Sequence, residues 1–354
     1  MSSAVPGRDP VETAAALERW FGERLGVADP EVSELSVPKA GFSNETILGS
    51  LSCTEGARRH ERPFVLRIEP TSHQLFVQPD AMRQAQVMTA LYGSVPVPNV
   101  WLTETQSHIL GAPFFVMDRV FGRIPSDVPS WHRRGWTVDL APDERARLHD
   151  GALAALVQLH AVDTSVGKLR FLDPVGVGST ALARQVSQLR EFYEWCEPVR
   201  RYGTDVIDAA MEYVVAEMPD DDRQSIVWGD ARVGNIIFAD DLSVAALLDW
   251  EGATLGPPEV DVAWWVMFDE FLCEANGLTR LDGVPDRSGT LSRYEALAGR
   301  ALADIGYYQV LAGLQFALIN SRLAHLLITS GKAPEAVAAE FVTRVTGITK
   351  RGLP

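Results

Sequence analysis

The sequence predicts an α+β chain of two parts: a small, strand-rich N-terminal lobe and a larger, mainly helical C-terminal lobe. Two observations carry this. Up to about residue 118 the apolar residues fall in short runs, in the order strand, strand, strand, helix, strand, strand. After Gly122 helical spacing takes over, interrupted by one pair of short apolar runs within residues 225–249. The 354 residues suffice for one large domain or two moderate ones. The division reads as a disordered tail over 1–10, an N-terminal lobe over 11–118 and a C-terminal lobe over 119–354.

Residues 1–10 contain no apolar core, so they do not read as a signal peptide. Ala14, Leu17, Trp20, Phe21 and Leu25 recur at helical spacing and predict an amphipathic helix over 11–26. Three strand-like runs follow: Val32–Lys39, Thr46–Cys53 and Pro63–Ile68. Pro79 near a first helical position, Asp80 in the first turn and Gly93 at the end bracket the next helix. Val95-Pro-Val-Pro98 is a rigid extended connector, and Val100–Glu104 and Phe114–Asp118 read as two further strands. Beyond the lobe boundary the helix signals cover Asp143–Val162, Ser179–Cys196 and Asp205–Glu217, then several stretches from Asp261 to Val345.

Composition removes several function classes. The formal net charge of −15 argues against nucleic acid as a partner, because phosphate binding needs a basic footprint. That excess of acid fits a protein kept soluble by its charge. No run approaches the roughly 20 apolar residues of a membrane span, so no membrane is expected. Cys53, Cys196 and Cys273 lie far apart with no CxxC spacing, which fits a reducing, cytoplasmic setting. The seven histidines show no HxxxH pair, so zinc is not expected.

The most informative stretch is Ser225-Ile-Val-Trp-Gly-Asp-Ala-Arg-Val-Gly-Asn-Ile-Ile-Phe238, followed by Ala245-Ala-Leu-Leu-Asp-Trp-Glu251. Each half is an apolar run that delivers acidic or amide groups. Taken singly, Asp230, Asn235 and Asp249 are ordinary turn residues. Taken together, on a hairpin closed at Asp240-Asp241, they gather proton-handling and cation-holding groups in one place. Phosphoryl transfer to a hydroxyl needs that set: one carboxylate to accept the proton, and an amide and a second carboxylate to hold Mg²⁺ on the phosphates.

Trp228-Gly-Asp-Ala-Arg-Val-Gly-Asn235 and Leu248-Asp-Trp-Glu251 resemble, in order and spacing, the catalytic loop and metal motif of the aminoglycoside phosphotransferase / choline kinase-like family. Gly41-Phe-Ser-Asn-Glu-Thr46 resembles the phosphate-covering turn of its phosphotransferase branch, and Phe64-Val-Leu-Arg-Ile68 its third strand. Pro96-Val-Pro98 and Gly111-Ala-Pro-Phe-Phe-Val-Met-Asp118 resemble the approach to the hinge. Leu156-Val-Gln-Leu-His160 and Gly256-Pro-Pro-Glu-Val-Asp-Val-Ala263 resemble the segments flanking the catalytic motifs. The resemblance spans roughly residues 30–330. It implies a protein-kinase-like fold, with residues 11–118 as the nucleotide-covering lobe.

The same resemblance implies the roles. Asp230 is the expected catalytic base. Asn235 and Asp249 are the expected Mg²⁺ ligands, with Glu251 as a second-metal or water-mediated ligand. Ser43, Asn44 and Thr46 would meet the phosphates, joined by Arg67, Gln84 and, near the hinge, Met117. Asp261 would hold the backbone of the catalytic loop. ATP is the implied donor, with GTP as an alternative, and a small hydroxyl-bearing molecule the acceptor.

The chain departs from the family pattern at three places. Trp228 stands where the loop usually begins with His, and its indole can donate but not accept. Arg67 stands where many kinases have Lys. Gln84 stands where a Glu usually pairs with that cation. Arg232 reads either as a contact to phosphate or to an anionic substrate, or as an ion pair with Asp249 or Glu251. His160 reads as a core histidine. Trp264 and Trp265, with Asp269, Glu270 and Glu274, read as an acceptor wall or as an ordinary amphipathic helix with an acidic solvent face. Trp131, His132 and Trp136 read as a lid or as packing.

The function expected is transfer of the ATP γ-phosphoryl group to a hydroxyl of a small molecule, aminoglycoside phosphotransferase-like. The branch also resembles kinase modules fused to acyl-CoA dehydrogenases, so a hydroxyacyl thioester or hydroxy acid is the rival acceptor. Trp228 and Gln84 motivate another reading, a catalytically weak nucleotide-binding regulator.

Overall fold

The computed structural model describes residues 8–38, 45–56, 58–70, 80–165 and 167–354. The chain divides into two units, Met1–Tyr92 with Val97–Phe121 and Gly93–Pro96 with Gly122–Pro354.

The first unit opens with helix α1 (Pro10–Leu25). Asp9 caps it by accepting from the backbone N–H groups of Val11 and Glu12, Pro10 occupies the first turn, and Gly26 ends it at φ 66°. Residues 8–10 therefore depart from the disordered tail expected over 1–10, and residues 1–7 lie outside the described residues. Asp9-Pro10 is itself a helix start, and the Arg8 side chain pairs with Glu45 and donates to the Leu110 carbonyl.

Strands β1 (Ala28–Ser36), β2 (Glu45–Glu55), β3 (Arg58–Ile68), β4 (Val100–Glu104) and β5 (Phe114–Asp118) form one antiparallel sheet in the order β1-β2-β3-β5-β4. Strands β4 and β5 fall where the sequence placed them. Strands β2 and β3 run 11 residues each, longer than expected. Their outer halves are polar and the apolar pattern is silent there. Leu17, Trp20 and Phe21 of α1 pack on Ile47, Leu51, Phe64, Leu66, Phe114 and Val116 of the sheet. The Trp20 indole N–H is satisfied by Glu104 at 2.8 Å. Helix α2 (Ala81–Leu91) is capped by Asp80, whose carboxylate accepts from Arg83 N–H, and the N–H of Ala81 is taken up by Glu69. Pro79 lies outside the described residues.

The second unit contains α3 (Pro142–His160), α4 (Ala181–Cys196), α5 (Thr204–Ala216), α6 (Glu259–Leu272), α7 (Arg287–Ala298), α8 (Ile305–Thr329) and α9 (Glu335–Gly352). Short strands lie among them: β6 (Ser225–Val227), β7 (Ile236–Phe238), β8 (Val244–Leu247) and β9 (Thr254–Gly256). Strand β7 pairs with β8 as the expected hairpin, while β6 pairs with β9, a three-residue strand the sequence reading does not contain. Helix α8 corrects another expectation. It is long and apolar enough, by length and composition alone, to cross a membrane. Over half of that stretch, 56%, is buried in the protein, and the helix packs on α5, α6 and α9. A helix surrounded by other helices is apolar on most faces for that reason.

Candidate active site

Strand β6 is fully buried at Ile226 and Val227 and delivers the turn Trp228-Gly229-Asp230. Two devices fix that turn. Gly229 sits at φ 87°, and a Cβ there would lie 2.3 Å from the Gly252 carbonyl oxygen, so only glycine fits. Asp261, fully buried in the first turn of α6, accepts from the backbone N–H of Trp228 at 2.6 Å and of Gly229 at 2.8 Å. Helix α3 braces Asp261 in turn: His160 Nε2 lies 3.0 Å from it and His160 Nδ1 lies 2.7 Å from the Tyr294 hydroxyl. His160 is thus a satisfied core histidine, as expected.

Trp228, where the resembled motif begins with His, contributes packing and one donor. Its ring is fully buried and stacks on Trp250 with centroids 5.6 Å apart. Its indole N–H donates to the Leu248 carbonyl at 2.8 Å, one residue before Asp249. Trp228 thereby ties the two halves of the motif together.

Both carboxylate oxygens of Asp230 are engaged. Oδ1 accepts from Trp264 Nε1 at 2.9 Å and from Arg232 Nε at 3.0 Å. Oδ2 accepts from Asn235 Nδ2 at 2.6 Å and from Arg232 Nε at 2.9 Å. Arg232 pairs as well with Asp127, and its guanidinium carbon sits 4.9 Å above the Phe268 ring. The ion-pair reading of Arg232 holds, with Asp230 and Asp127 as its acids in place of the suggested Asp249 or Glu251. Asp249 is still close enough to add to the charge felt by Arg232. Burial works to lower the Arg232 pKa, but Asp230 and Asp127 outweigh it and hold the guanidinium above its ordinary value. Asp127 moves up, chiefly by burial, with Arg232 opposing and Asp230 adding.

Asn235 closes a short 3₁₀ turn over Val233–Asn235, and its carbonyl accepts from Leu248 N–H at 2.8 Å. That bond sets Asp249 beside it in sequence, in the left-handed conformation at φ 60°. Such a backbone is uncommon outside glycine, and Asp tolerates it better than most residues. With the Asn235 side-chain nitrogen committed to Asp230, the side-chain oxygen Oδ1 is the atom that could face a cation. Among the described residues no three His, Cys, Asp or Glu side chains form a ready cage. One amide oxygen with one or two carboxylates nevertheless fits Mg²⁺, which takes few protein ligands and completes its shell with water and phosphate oxygens.

The nucleotide-side candidates lie in the first unit. Thr46 and Arg67 face each other across β2 and β3. Arg67 donates to Thr46 Oγ1 at 3.1 Å and to Gln84 Oε1 at 3.4 Å. Gln84 is buried, so it is not a solvated helix residue. Met117 is buried in β5 opposite Val65 and Val100. Ser43 and Asn44 lie outside the described residues.

Helix α6 departs from an amphipathic helix with an acidic solvent face. Asp269 is held by His132 at 3.1 Å and by Arg280, which takes Glu274 as well at 2.9 Å. Burial works to raise the Asp269 pKa, but the His132 hydrogen bond and the Arg280 charge hold it below the ordinary value. Glu270 moves up, by burial. Trp131 and His132 are packed inward and stacked on each other at 3.8 Å, so this pair is packing rather than a lid. Arg145 fastens the same turn, donating to the carbonyls of Thr137, Val138 and Asp282. Trp136 lies nearer the surface, under Arg123. A small hollow is lined by Trp131, Arg232, Gly234, Trp265, Phe268 and Asp269.

Beneath this turn His149 is buried with both ring nitrogens unpartnered, and burial brings its pKa down from 6.5 to about 4. Asp269 opposes that fall, while His132, Arg280 and Arg293 add to it. A base depressed in the folded state takes up its proton first in the unfolded chain. Stability should therefore decline as pH falls from 6.5 towards 4, by about 1.4 kcal/mol per pH unit at most. Denaturant titrations of wild type and His149→Phe across that window check this; parallel pH dependences would refute it.

Sequence reasoning missed two partners of the 228–235 loop. Asp127 lies far upstream with no motif around it. Trp264 carried a signal: it follows Asp261 by three residues on a helix, so both project from one face towards the same loop.

Residues 35–305 match the model of the phosphotransferase enzyme family. Human acyl-CoA dehydrogenase family member 11 is 29% identical over 259 residues, covering 72% of this chain and 30% of that protein. Mouse acyl-CoA dehydrogenase family member 10 is 30% identical over 270 residues, covering 73% of this chain and 23% of that protein. The chain thus spans less than a third of the length of these relatives.

Among solved structures, a putative aminoglycoside phosphotransferase from Ralstonia eutropha superposes with a TM-score of 0.67 at 23% identity, over 95% of this chain and 98% of that one. A thermostable mutant of aminoglycoside phosphotransferase APH(4)-Ia, in a ternary complex with ADP and hygromycin B, gives 0.57 at 15% identity, over 96% and 99%. A GDP complex of an aminoglycoside 2'-phosphotransferase gives 0.58 at 15%, over 96% and 97%. These likenesses establish the protein-kinase-like fold. The family-model match, laid over the loop geometry above, places this chain in the phosphotransferase enzyme family.

Proposed function

We propose that the chain is a Mg²⁺-dependent small-molecule kinase that moves the γ-phosphoryl group of ATP to a substrate hydroxyl. The observation that supports this best is the seating of Asp230. Its carboxylate is held from two sides by Trp264 and Asn235 and backed by Arg232. A carboxylate so fixed can accept the proton of an acceptor hydroxyl as its oxygen bonds to phosphorus and the bond to the ADP oxygen breaks. Asn235 and Asp249 would hold Mg²⁺, with Glu251 acting directly or through water. When bound, the ion would neutralise charge on the phosphate oxygens. Arg67, with Thr46 and Gln84, is the proposed phosphate contact of the first unit.

The acceptor reading turns on charge. A polycationic aminoglycoside needs uncommitted carboxylates. Asp269 and Glu274 are already paired with His132 and Arg280, and Arg232 with Asp230 and Asp127, so the nearby hollow offers the aromatic walls of Trp131, Trp265 and Phe268, which suit an acyl chain better than a polycation. This favours a hydroxyacyl thioester or hydroxy acid, in keeping with the names of the relatives. A weak nucleotide-binding regulator is the reading that the same experiment would expose. Incubating the protein with Mg-ATP or Mg-GTP and panels of hydroxyacyl-CoA compounds and aminoglycosides, then scanning for the mass gain of one phosphate, tests all three. Phosphorylation confined to aminoglycosides would overturn the acceptor assignment. No thermal shift with either nucleotide would overturn the kinase itself.

A further inference from the structure

We infer that Asp127 is a positioning residue for phosphoryl transfer, acting through Arg232 to hold Asp230 in place. The inference rests on the kinase reading for what Asp230 does, but its geometry stands alone. Arg232 lies between two carboxylates: its Nε meets both oxygens of Asp230 at 3.0 and 2.9 Å, and its Nη1 meets Asp127. Asp230 alone would neutralise the guanidinium. A second acid brought into the same enclosed space adds repulsion between carboxylates and a desolvation cost, so its presence calls for a reason other than charge balance.

Direction supplies that reason. A planar guanidinium held at one nitrogen can still turn, whereas one held at two different nitrogens cannot. With Nη1 fixed on Asp127 and the Phe268 ring under the guanidinium, the Nε edge faces Asp230. The chain leaves room for this pair at one residue: a Cβ on Gly234 would lie 2.4 Å from Asp127 Oδ1 and 2.5 Å from Arg232 Nη1. Asp127 Oδ1 is buried without a hydrogen-bond partner, so the residue's one engaged oxygen is the one on Arg232.

The test compares Asp127→Asn, Asp127→Glu, Arg232→Met and the double variant Asp127→Asn/Arg232→Met with wild type. The first readout is basal hydrolysis of Mg-ATP. Asp127→Asn should lower kcat about tenfold and leave KM for ATP within about twofold, with Asp127→Glu restoring most of the loss. The double variant should be no slower than Arg232→Met, because both changes remove one device. The second readout is hydrogen exchange of the Arg232 Nε proton by NMR, its signal identified by its loss in Arg232→Met. Exchange should speed about tenfold in Asp127→Asn. Unchanged exchange, or rate losses that multiply in the double variant, would overturn the inference. A wild type with no hydrolysis would count against the kinase reading, and the exchange measurement would still decide the role of Asp127.

Discussion

Asp230→Asn should keep the fold and the affinity for Mg-ATP and lose about a thousandfold in turnover, the middle of the range for removing a general base. The amide retains the shape of the side chain and one accepting oxygen, so Trp264 can still donate to it. It cannot take the acceptor proton. It also presents its own N–H groups towards Arg232 or Asn235, which are donors themselves. Steady-state kinetics with the acceptor found by mass screening, alongside nucleotide-induced thermal shifts, separate the two effects. Turnover equal to wild type would remove Asp230 from the chemistry.

Asp261→Ala should cost stability rather than chemistry alone, by about 3–5 kcal/mol, the usual result of deleting one member of a buried hydrogen-bonded charged network. The variant would leave the N–H groups of Trp228 and Gly229 and the His160 ring without their common acceptor, all in buried or half-buried positions. Urea denaturation measures the loss. Asp261→Asn keeps one accepting oxygen and should recover about half of it. A variant within about 0.5 kcal/mol of wild type would show that the loop is held by other means.

Much of this was legible from the sequence where local physics decides. The caps and apolar alternation gave α1, β4, β5 and the β7–β8 hairpin, because each is specified by neighbours a few residues away. The spacing of Asp230, Asn235 and Asp249 was visible for the same reason. What escaped depends on distant contacts. Strand β9 is three residues long and exists through its pairing with β6. The partners of Arg232 could not be chosen among many acids without knowing that the segment before α3 returns to the loop. Asp269 read as a solvent-facing acid because neither His132 nor Arg280 is near it in sequence. Helix α8 escaped as a candidate span because its few polar residues break the run without lowering its mean hydropathy enough.

Helix α6 carries Asp261 at its start, Trp264 one turn on and Phe268 one turn further. The first welds the helix to the loop, the second touches the base, and the third lines the hollow. If the hollow receives the acceptor as proposed, reshaping that helix to admit a different one would disturb Asp230 at the same time. Laboratory evolution should then find that selectivity and speed trade against each other here, and changes at Trp131 would not escape the trade, because Trp131 stacks on His132, which holds Asp269 of the same helix.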